Sequence, residues 1–403
     1  MAWPFRKRNR EEERAVVAPQ SVFLDMPNWS GERVSPSQAD RLSAVGRAIN
    51  LISNDLAKVP LNLTRRNPDG TREPDDTSNL WRLFDSSPNV YQSGFEFRRY
   101  VTSQFLTYGN AIVYISRNLR GDVLQLLPLE PNSCSVMVDN ETGEFHYQHA
   151  TMGNLEPDEV LHLKYGLTDS SGIWGYSPIE RASEALGLAK AQEKAGASVF
   201  KNAANPKMAL THPGNLSDKA AGRLSEQFAN AHAGPSSSGK AILLEEGMSV
   251  TELKPLELTS AQYIASREFS IQEVSRMYGV PVPYLSEHSR STYSNVSELV
   301  RIYIDSCLSH MACIWSSEVG FKLLSPDQRL EFDLSYVQRG TFVDEINALN
   351  TAATSGIMTP NECRQRLGLN PLPGLDDPRA MPGSSTITDE GSRDDDRNPF
   401  TDD

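Results

Sequence analysis

Apolar residues recur along this chain with two periods, and the periods alternate from segment to segment. Ser35 is followed by Pro36 and Gln38, a capping box with proline at the first helical position. Val45, Ile49, Ile52 and Leu56 then mark one face of a helix expected over about 36–57. The run VPLNLTRR after it reads as a strand closed by an NPDG turn. Ser93 and Glu96 form a second capping box, opening a helix that Gly109 ends. AIVYISR and VLQLLPL follow as two strands around a turn containing Gly121, so this region reads as α+β.

Beyond it the helical period dominates. From Pro178 to about Ala204, Ile179, Ala182, Leu186, Ala189 and Val199 fall near one face with no internal proline, which predicts one helix roughly 40 Å long. A short strand (KMALT), a helix over about 217–232 and the strand-like AILLEEGMSVTEL then form a compact β-α-β insertion. A second long helix is expected over 260–278, stopped by Gly279 and the segment VPVPYL. After the polar stretch SEHSRSTYSN, a third over 296–324 carries Leu299, Tyr303, Cys307, Met311 and Trp315 at helical spacing. The last ordered piece holds a helix near 342–355, Gly356, and a capped start at Thr359-Pro360-Asn361-Glu362 that ends at Gly368. Residues 1–30 and 376–403 lack periodicity and read as disordered, and no internal repeat is visible.

Composition narrows the function classes. A chain of 403 residues is long enough for two to three domains. Its four cysteines (Cys134, Cys307, Cys313, Cys363) form no CxxC pair, which points to a reducing compartment without disulfides. The N-terminus MAWPFRKRNREEER has no apolar stretch behind its basic residues, and nothing approaches the roughly 18 apolar residues of a membrane span, so neither secretion nor a membrane anchor is expected. The net charge is −13, of which the tail from Asp376 carries −6, leaving −7 for the rest. Tight nucleic-acid binding relies on Lys and Arg displacing counterions, so contact with DNA should be loose.

The chemical candidates are weak. GPSSSGKA (234–241) places Gly234, Gly239 and Lys240 as a phosphate-binding loop does, but Ala241 supplies no hydroxyl for magnesium. A helix precedes this loop and a strand follows it, the reverse of the order that aims backbone N–H groups at a phosphate. Cys307, His310 and Cys313 spread over about a third of a helix's circumference and suggest core packing rather than a metal site. His146 and His149, an odd number apart in a strand, point to opposite faces. There is no Gly-x-Ser-x-Gly elbow, and no catalytic centre, metal or cofactor is expected.

The order of segments resembles the HK-ninety-seven-like portal proteins of tailed phages. The resemblance is carried by SPN (87–89), YGNAIVYI (108–115), GYSPIERA (175–182), FKNAANPKMAL (200–210), YGVPVPYL (278–285), YSNVSE (293–298) and MTPNECRQRLGL (358–369), and covers about 35–375. It implies a mainly helical α+β portal fold that assembles as a ring of about twelve copies at one capsid vertex, through which double-stranded DNA is packaged and ejected. It divides the chain into a disordered arm (1–30), a wing (31–177), a stem helix (178–204), a clip (205–258), a second stem helix (259–284), a tunnel loop (285–296), a wing helix and return strand (297–338), a crown (339–375) and an acidic disordered tail (376–403). The implied partners are further copies of the chain, the terminase large subunit, the major capsid or scaffolding protein and head-tail connector proteins. DNA would pass without sequence specificity, and the protein would sit in the virion, after assembly in the host cytoplasm. A ring-forming head-tail connector without a packaging role, or a P-loop-like nucleotide hydrolase, are the alternative readings.

Geometry admits such a ring. Twelve helices at roughly 10 Å spacing make a circle about 38 Å across and leave about 28 Å inside, enough for a duplex of roughly 20 Å. On the resemblance, the tunnel loop would present Glu287, His288, Ser289, Arg290, Ser291, Thr292, Tyr293, Ser294 and Asn295 to DNA, and Lys190, Lys194 and Lys201 would line the stem. Ser217, Asp218, Arg223, Glu226 and Lys240 of the clip would dock terminase or connector proteins.

Overall fold

A computed structural model describes residues 14–17, 28–39, 42–139, 142–201, 207–211, 214, 219, 222–223, 249–253, 260–286, 296–337 and 342–378. They divide into two units, Met1–Val337 and Gln338–Asp403. The first begins with β1 (Arg14–Val17), α1 (Pro36–Ala39) and α2 (Ser43–Lys58). The expected apolar face Val45, Ile49, Ile52 and Leu56 of α2 is buried. The helix expected over 36–57 is therefore two pieces. Leu42 between them is extended (φ −71°, ψ 114°), and the break lets Val34, Ala39 and Leu42 reach the same core as α2.

Next come β2 (Leu61–Arg66), β3 (Arg72–Pro74), α3 (Asn79–Asp85) and α4 (Gly94–Tyr108). The capping box closes reciprocally: the Glu96 N–H donates to Ser93 Oγ at 3.3 Å and the Ser93 N–H to Glu96 Oε2 at 3.1 Å. Gly109, at φ 77°, ends α4 in the left-handed region, where a Cβ would also run into the Tyr176 carbonyl. The strands β4 (Asn110–Arg117), β5 (Val123–Leu129), β6 (Cys134–Asp139), β7 (Phe145–His149), β8 (Gly153–Leu155) and β9 (Val160–Lys164) follow. They build two antiparallel sheets, β5-β4-β9 and β1-β6-β7-β8.

The long helix expected over 178–204 is α5 (Pro178–Arg181) and α6 (Ser183–Lys201), separated by a kink at Ala182 (φ −92°, ψ 11°). Beside the kink the amide of Asn28 donates to the Ser183 carbonyl at 2.8 Å, a side chain entering the helical ladder from outside. Strands β10 (Lys207–Thr211) and β11 (Ser249–Leu253) pair antiparallel, with Lys207 opposite Leu253. Of the helix expected over 217–232, only Lys219, Gly222 and Arg223 are described, as helical.

The chain returns through α7 (Ser260–Tyr278), α8 (Val282–Leu285), α9 (Val296–Tyr303), α10 (Ser309–Lys322) and β12 (Gln328–Phe332), which completes the sheet β12-β2-β3. Between α9 and α10 a π turn spans Ile304–Leu308, so the helix expected over 296–324 is not uniform. The cause lies in the spacing of its apolar residues. Steps of four advance about 400° on an α-helix, so a stripe built on them swings by about 40° each time. The wider π turn absorbs that drift, and Tyr303, Cys307, Met311 and Trp315 all remain buried. Trp315 anchors the core: Phe84 and Phe97 meet it edge-on at 6.5 and 6.0 Å, and its indole N–H donates to Thr102 Oγ1 at 3.1 Å.

The second unit contains α11 (Phe342–Thr354) and α12 (Pro360–Arg366). Thr359 and Glu362 form the expected capping box, and the Asn361 amide donates to the Leu372 carbonyl at 2.8 Å, clasping the segment after α12.

Candidate functional site

Helix α6 packs against α7, and the segment 28–33 is strapped along α6 from outside. Gly187 permits the strap, because a Cβ there would meet Asn28 Nδ2 at 2.7 Å and Ser30 Oγ at 2.8 Å. Lys190 donates to the Arg33 carbonyl at 2.6 Å. Lys194 donates to both Glu32 oxygens, at 2.6 and 2.8 Å. The Lys194 bond holds the Glu32 carboxyl below the usual range; burial, the next largest effect, opposes it, and the charges of Lys194 and Lys190 add to the lowering. Two of the three candidate stem lysines therefore share one carboxylate, a partner 160 residues upstream that spacing along the chain cannot reveal. Lys201 is the last residue of α6, and its side chain lies outside the described residues.

The candidate tunnel loop, Glu287 to Asn295, lies outside the described residues, but both of its flanks are described and firmly held. Before it, the ring of Tyr284 in α8 lies 5.0 Å from that of Tyr303 in α9, and Arg47 of α2 donates to the Tyr284 carbonyl at 3.3 Å. The Tyr303 hydroxyl donates to Asp55 Oδ2 at 3.3 Å; burial, then the Asp55 charge, raise its pKa well beyond the ordinary phenol value. Gly279, at φ 69°, makes the turn between α7 and α8. Ser306 of the π turn donates to the Gly279 carbonyl at 2.7 Å, and the Ser275 hydroxyl donates to the Val280 carbonyl at 2.6 Å. The π turn and the glycine turn thus brace each other below the loop.

Of the candidate clip residues, Ser217, Asp218, Glu226 and Lys240 lie outside the described residues, as does the GPSSSGKA loop. Arg223 is exposed and donates to the Lys219 carbonyl at 3.3 Å, as helical neighbours four apart can. Cys307 is buried, with its thiol pushed up to about 12 mainly by desolvation, whereas Cys313 is exposed and His310 packs against the Tyr165 ring, so the three do not converge. Among the described residues no group of His, Cys, Asp and Glu is arranged to hold a metal ion. No described helix is long and apolar enough to cross a membrane.

Several of the segments that carried the resemblance are architectural clasps. Asn110 of YGNAIVYI donates to the Gly175 carbonyl of GYSPIERA at 2.7 Å and accepts the Gly175 N–H at 2.7 Å. The same Asn110 oxygen accepts from His162 Nε2 at 3.0 Å, which leaves Nδ1 to accept the Tyr147 hydroxyl at 3.0 Å and fixes a neutral imidazole. Burial, then the charges of Lys164 and Lys322, push His162 down to about 3. Asn89 of SPN accepts the N–H groups of Tyr91 and Gln92 and donates to the Leu126 carbonyl at 3.0 Å. Sequence reasoning missed Glu32, Asn28 and His162. The signal available for them was an Asn, a Glu and a His in apolar or Gly-flanked surroundings, too common to single out.

Comparison with known proteins places this geometry. Residues 43–368 match the family described as "Phage portal protein". The chain is 30% identical over 369 residues to the portal protein of Enterobacteria phage HK97, covering 89% of this chain and 86% of that protein. Its fold is similar to a crystal structure of an HK97 family phage portal protein from Corynebacterium diphtheriae, with a TM-score of 0.56 at 17% identity, covering 75% of this chain and 95% of that one. It is also similar to a chain of the neck of a native gene transfer agent particle computed with C12 symmetry, with a TM-score of 0.54 at 21% identity, covering 89% of this chain and 96% of that one. With the family matched across nearly all the described helices and sheets of the first unit, this chain belongs to the phage portal protein family.

Proposed function

We propose that this portal protein assembles as a closed ring of about twelve copies at a capsid vertex and guides double-stranded DNA through its centre, with no catalytic step of its own. The observation that carries the reading is the pairing of α6 with α7 directly before a polar loop whose two flanks are braced by Tyr284, Tyr303, Gly279 and Ser306. Such an arrangement fixes the points at which the chain leaves for the loop and returns from it, alike in every copy. The twelvefold symmetry of the gene transfer agent neck supports the ring number.

In this reading residues 31–177 and 297–338 form the wing, α5 with α6 and α7 with α8 the stem, 205–258 the clip and 339–375 the crown. Residues 287–295 are the DNA-facing loop, and Arg223 with its clip neighbours is a docking surface for terminase and connector proteins. The acidic balance of −13 gives phosphates little to hold, and Lys190 and Lys194 meet DNA with charge already shared with Glu32. A duplex under a motor then slides instead of sticking.

Negative-stain electron microscopy of the purified chain over a range of concentrations tests the proposal. Top views should show rings with a central hole wide enough for a duplex. Particles without a hole, or a hole narrower than about 20 Å, would refute the conduit.

A further inference from the structure

We infer that the ring contact is a knob-in-groove joint in which Trp29 of one subunit enters the groove between α6 and α7 of the next. The inference rests on the ring reading above and adds which surfaces meet.

The knob is built, not incidental. Trp29 is 98% exposed, yet the backbone carrying it is held at every side. It occupies the corner of a turn closed by Gly31 N–H donating to the Asn28 carbonyl at 2.7 Å, with Gly31 at φ 72°. The Asn28 amide is tied to the Ser183 carbonyl, and the Trp29 N–H itself donates to Glu184 Oε2 at 3.0 Å. The largest apolar side chain is thus displayed on a pinned turn in full contact with water, which is unfavourable unless another surface covers it.

The groove lies on the other side of the same helix. At 100° per residue, the α6 positions touching or next to the strap (Ser183, Glu184, Gly187, Lys190, Lys194) fall within about 120° of arc, and Ala185 lies about 160° from its centre. Ala185 lines an open, largely apolar groove of about 430 Å³, with Tyr165, Leu167, Tyr176 and the stems of Arg181 and Arg276 around it. An indole fits that volume, and two arginines at the rim suit its π face. The groove holds two arginines against one carboxylate, Glu273, which pairs with Arg276, so its balance is positive where the exposed Glu184 beside Trp29 is acidic.

Knob and groove on opposite faces of one helix make a heterologous, head-to-tail contact, the kind that repeats from copy to copy and closes into a ring. A self-complementary pair would stop at two. Trp and Arg are also the residues that concentrate binding energy at interfaces.

The test uses full-length protein carrying Cys313→Ser, which removes the exposed thiol and leaves Cys134, Cys307 and Cys363 buried. Trp29→Cys with Ala185→Cys is oxidised, and in parallel treated with a short bismaleimide, then run on a denaturing gel. A bridge within one chain leaves its mass unchanged on the gel, whereas a bridge between chains adds whole copies, so the two are told apart. We expect a ladder of covalent oligomers, where either single cysteine gives dimers at most. Trp29→Ala should raise the concentration needed for assembly by about tenfold or more, with its circular dichroism unchanged. Rings formed by Trp29→Ala at the wild-type concentration, or no ladder from the double variant at the tenfold or higher concentration that loss of the indole requires, would overturn the joint. If wild-type protein forms no ring at any concentration, the ring reading fails on its own. The ladder in concentrated solution then still decides the contact: present it stands, absent it falls.

Discussion

Arg98 is the most sharply testable element of the fold. It is only 6% exposed, and its guanidinium joins the ends of two helices: Nη1 donates to the Phe84 carbonyl at 2.6 Å and Nη2 to the Ala57 carbonyl at 2.8 Å. Both carbonyls belong to last turns, α3 and α2, where the chain leaves acceptors unused and the helix dipole favours a cation. Opposing this, burial presses the Arg98 pKa below its ordinary value, only partly countered by Asp85, and its Nε–H has no partner. Arg98→Met keeps the volume and removes the fork. Two hydrogen bonds to a charged donor contribute roughly 1.5–3 kcal/mol each, and removal of a desolvated charge returns part of that, so a net loss of about 3 kcal/mol is expected. For a unit of roughly 330 residues the unfolding entropy is about 0.7 kcal/mol per kelvin, which makes the expected drop in thermal midpoint about 4 °C. Differential scanning fluorimetry resolves that. Arg98→Lys, able to reach one carbonyl, should recover part of the loss, and Arg99→Met on the exposed side of α4 should change the midpoint by less than about 1 °C. An Arg98→Met protein that melts at or above wild type would refute the argument: the buried charge would then be a net cost that the two helix ends do not need.

Three further outcomes follow from the same geometry. His162 is neutral in the fold with a pKa near 3 against an ordinary value of 6.5, so the unfolded chain binds a proton that the folded one rejects. Its stabilising effect is complete above 6.5 and declines as pH falls towards 3. Between pH 7 and pH 5 the loss is about 2 kcal/mol, and urea titrations of wild type and His162→Gln should differ in pH slope by that amount; equal slopes would sink it. Gly109→Ala meets both a left-handed backbone and the Tyr176 carbonyl, and should destabilise by about 2 kcal/mol or more. Gly121→Ala, at φ 90° with nothing within 4 Å, should cost only about 1 kcal/mol, and chemical denaturation that ranked the two equally would refute the steric part. Glu32→Gln leaves the charges of Lys190 and Lys194 without their carboxylate at little cost in stability. Assembled rings of this variant should retain duplex DNA to higher salt, each freed lysine steepening the log-log salt dependence by about 0.9; unaltered retention would mean these lysines do not face the conduit.

Local physics made much of the fold legible in the sequence. The capping boxes at Ser93 and Thr359, the end of α4 at Gly109, the hairpin of β4 and β5, and the full span of α7 all depend on residues within a few positions of one another, and each stands where the pattern placed it. The family was readable too, because its marks are short segments in a fixed order, and those segments serve as backbone clasps such as Asn110 on Gly175. What the sequence left undecided are the interruptions: the break at Leu42 and the kink at Ala182 arise where a helix adjusts to a partner far along the chain, and the π turn at Ile304–Leu308 where packing chooses the place at which the drift of a four-residue stripe is absorbed. The resemblance put Lys190, Lys194 and Lys201 on the stem, but only the tertiary structure brought Glu32 across to share the charge of the first two and set the exposed Trp29 on a turn tied to α6. Periodicity reports which side of an element is apolar; which distant segment meets that side is decided by packing, and so are the site's electrostatics.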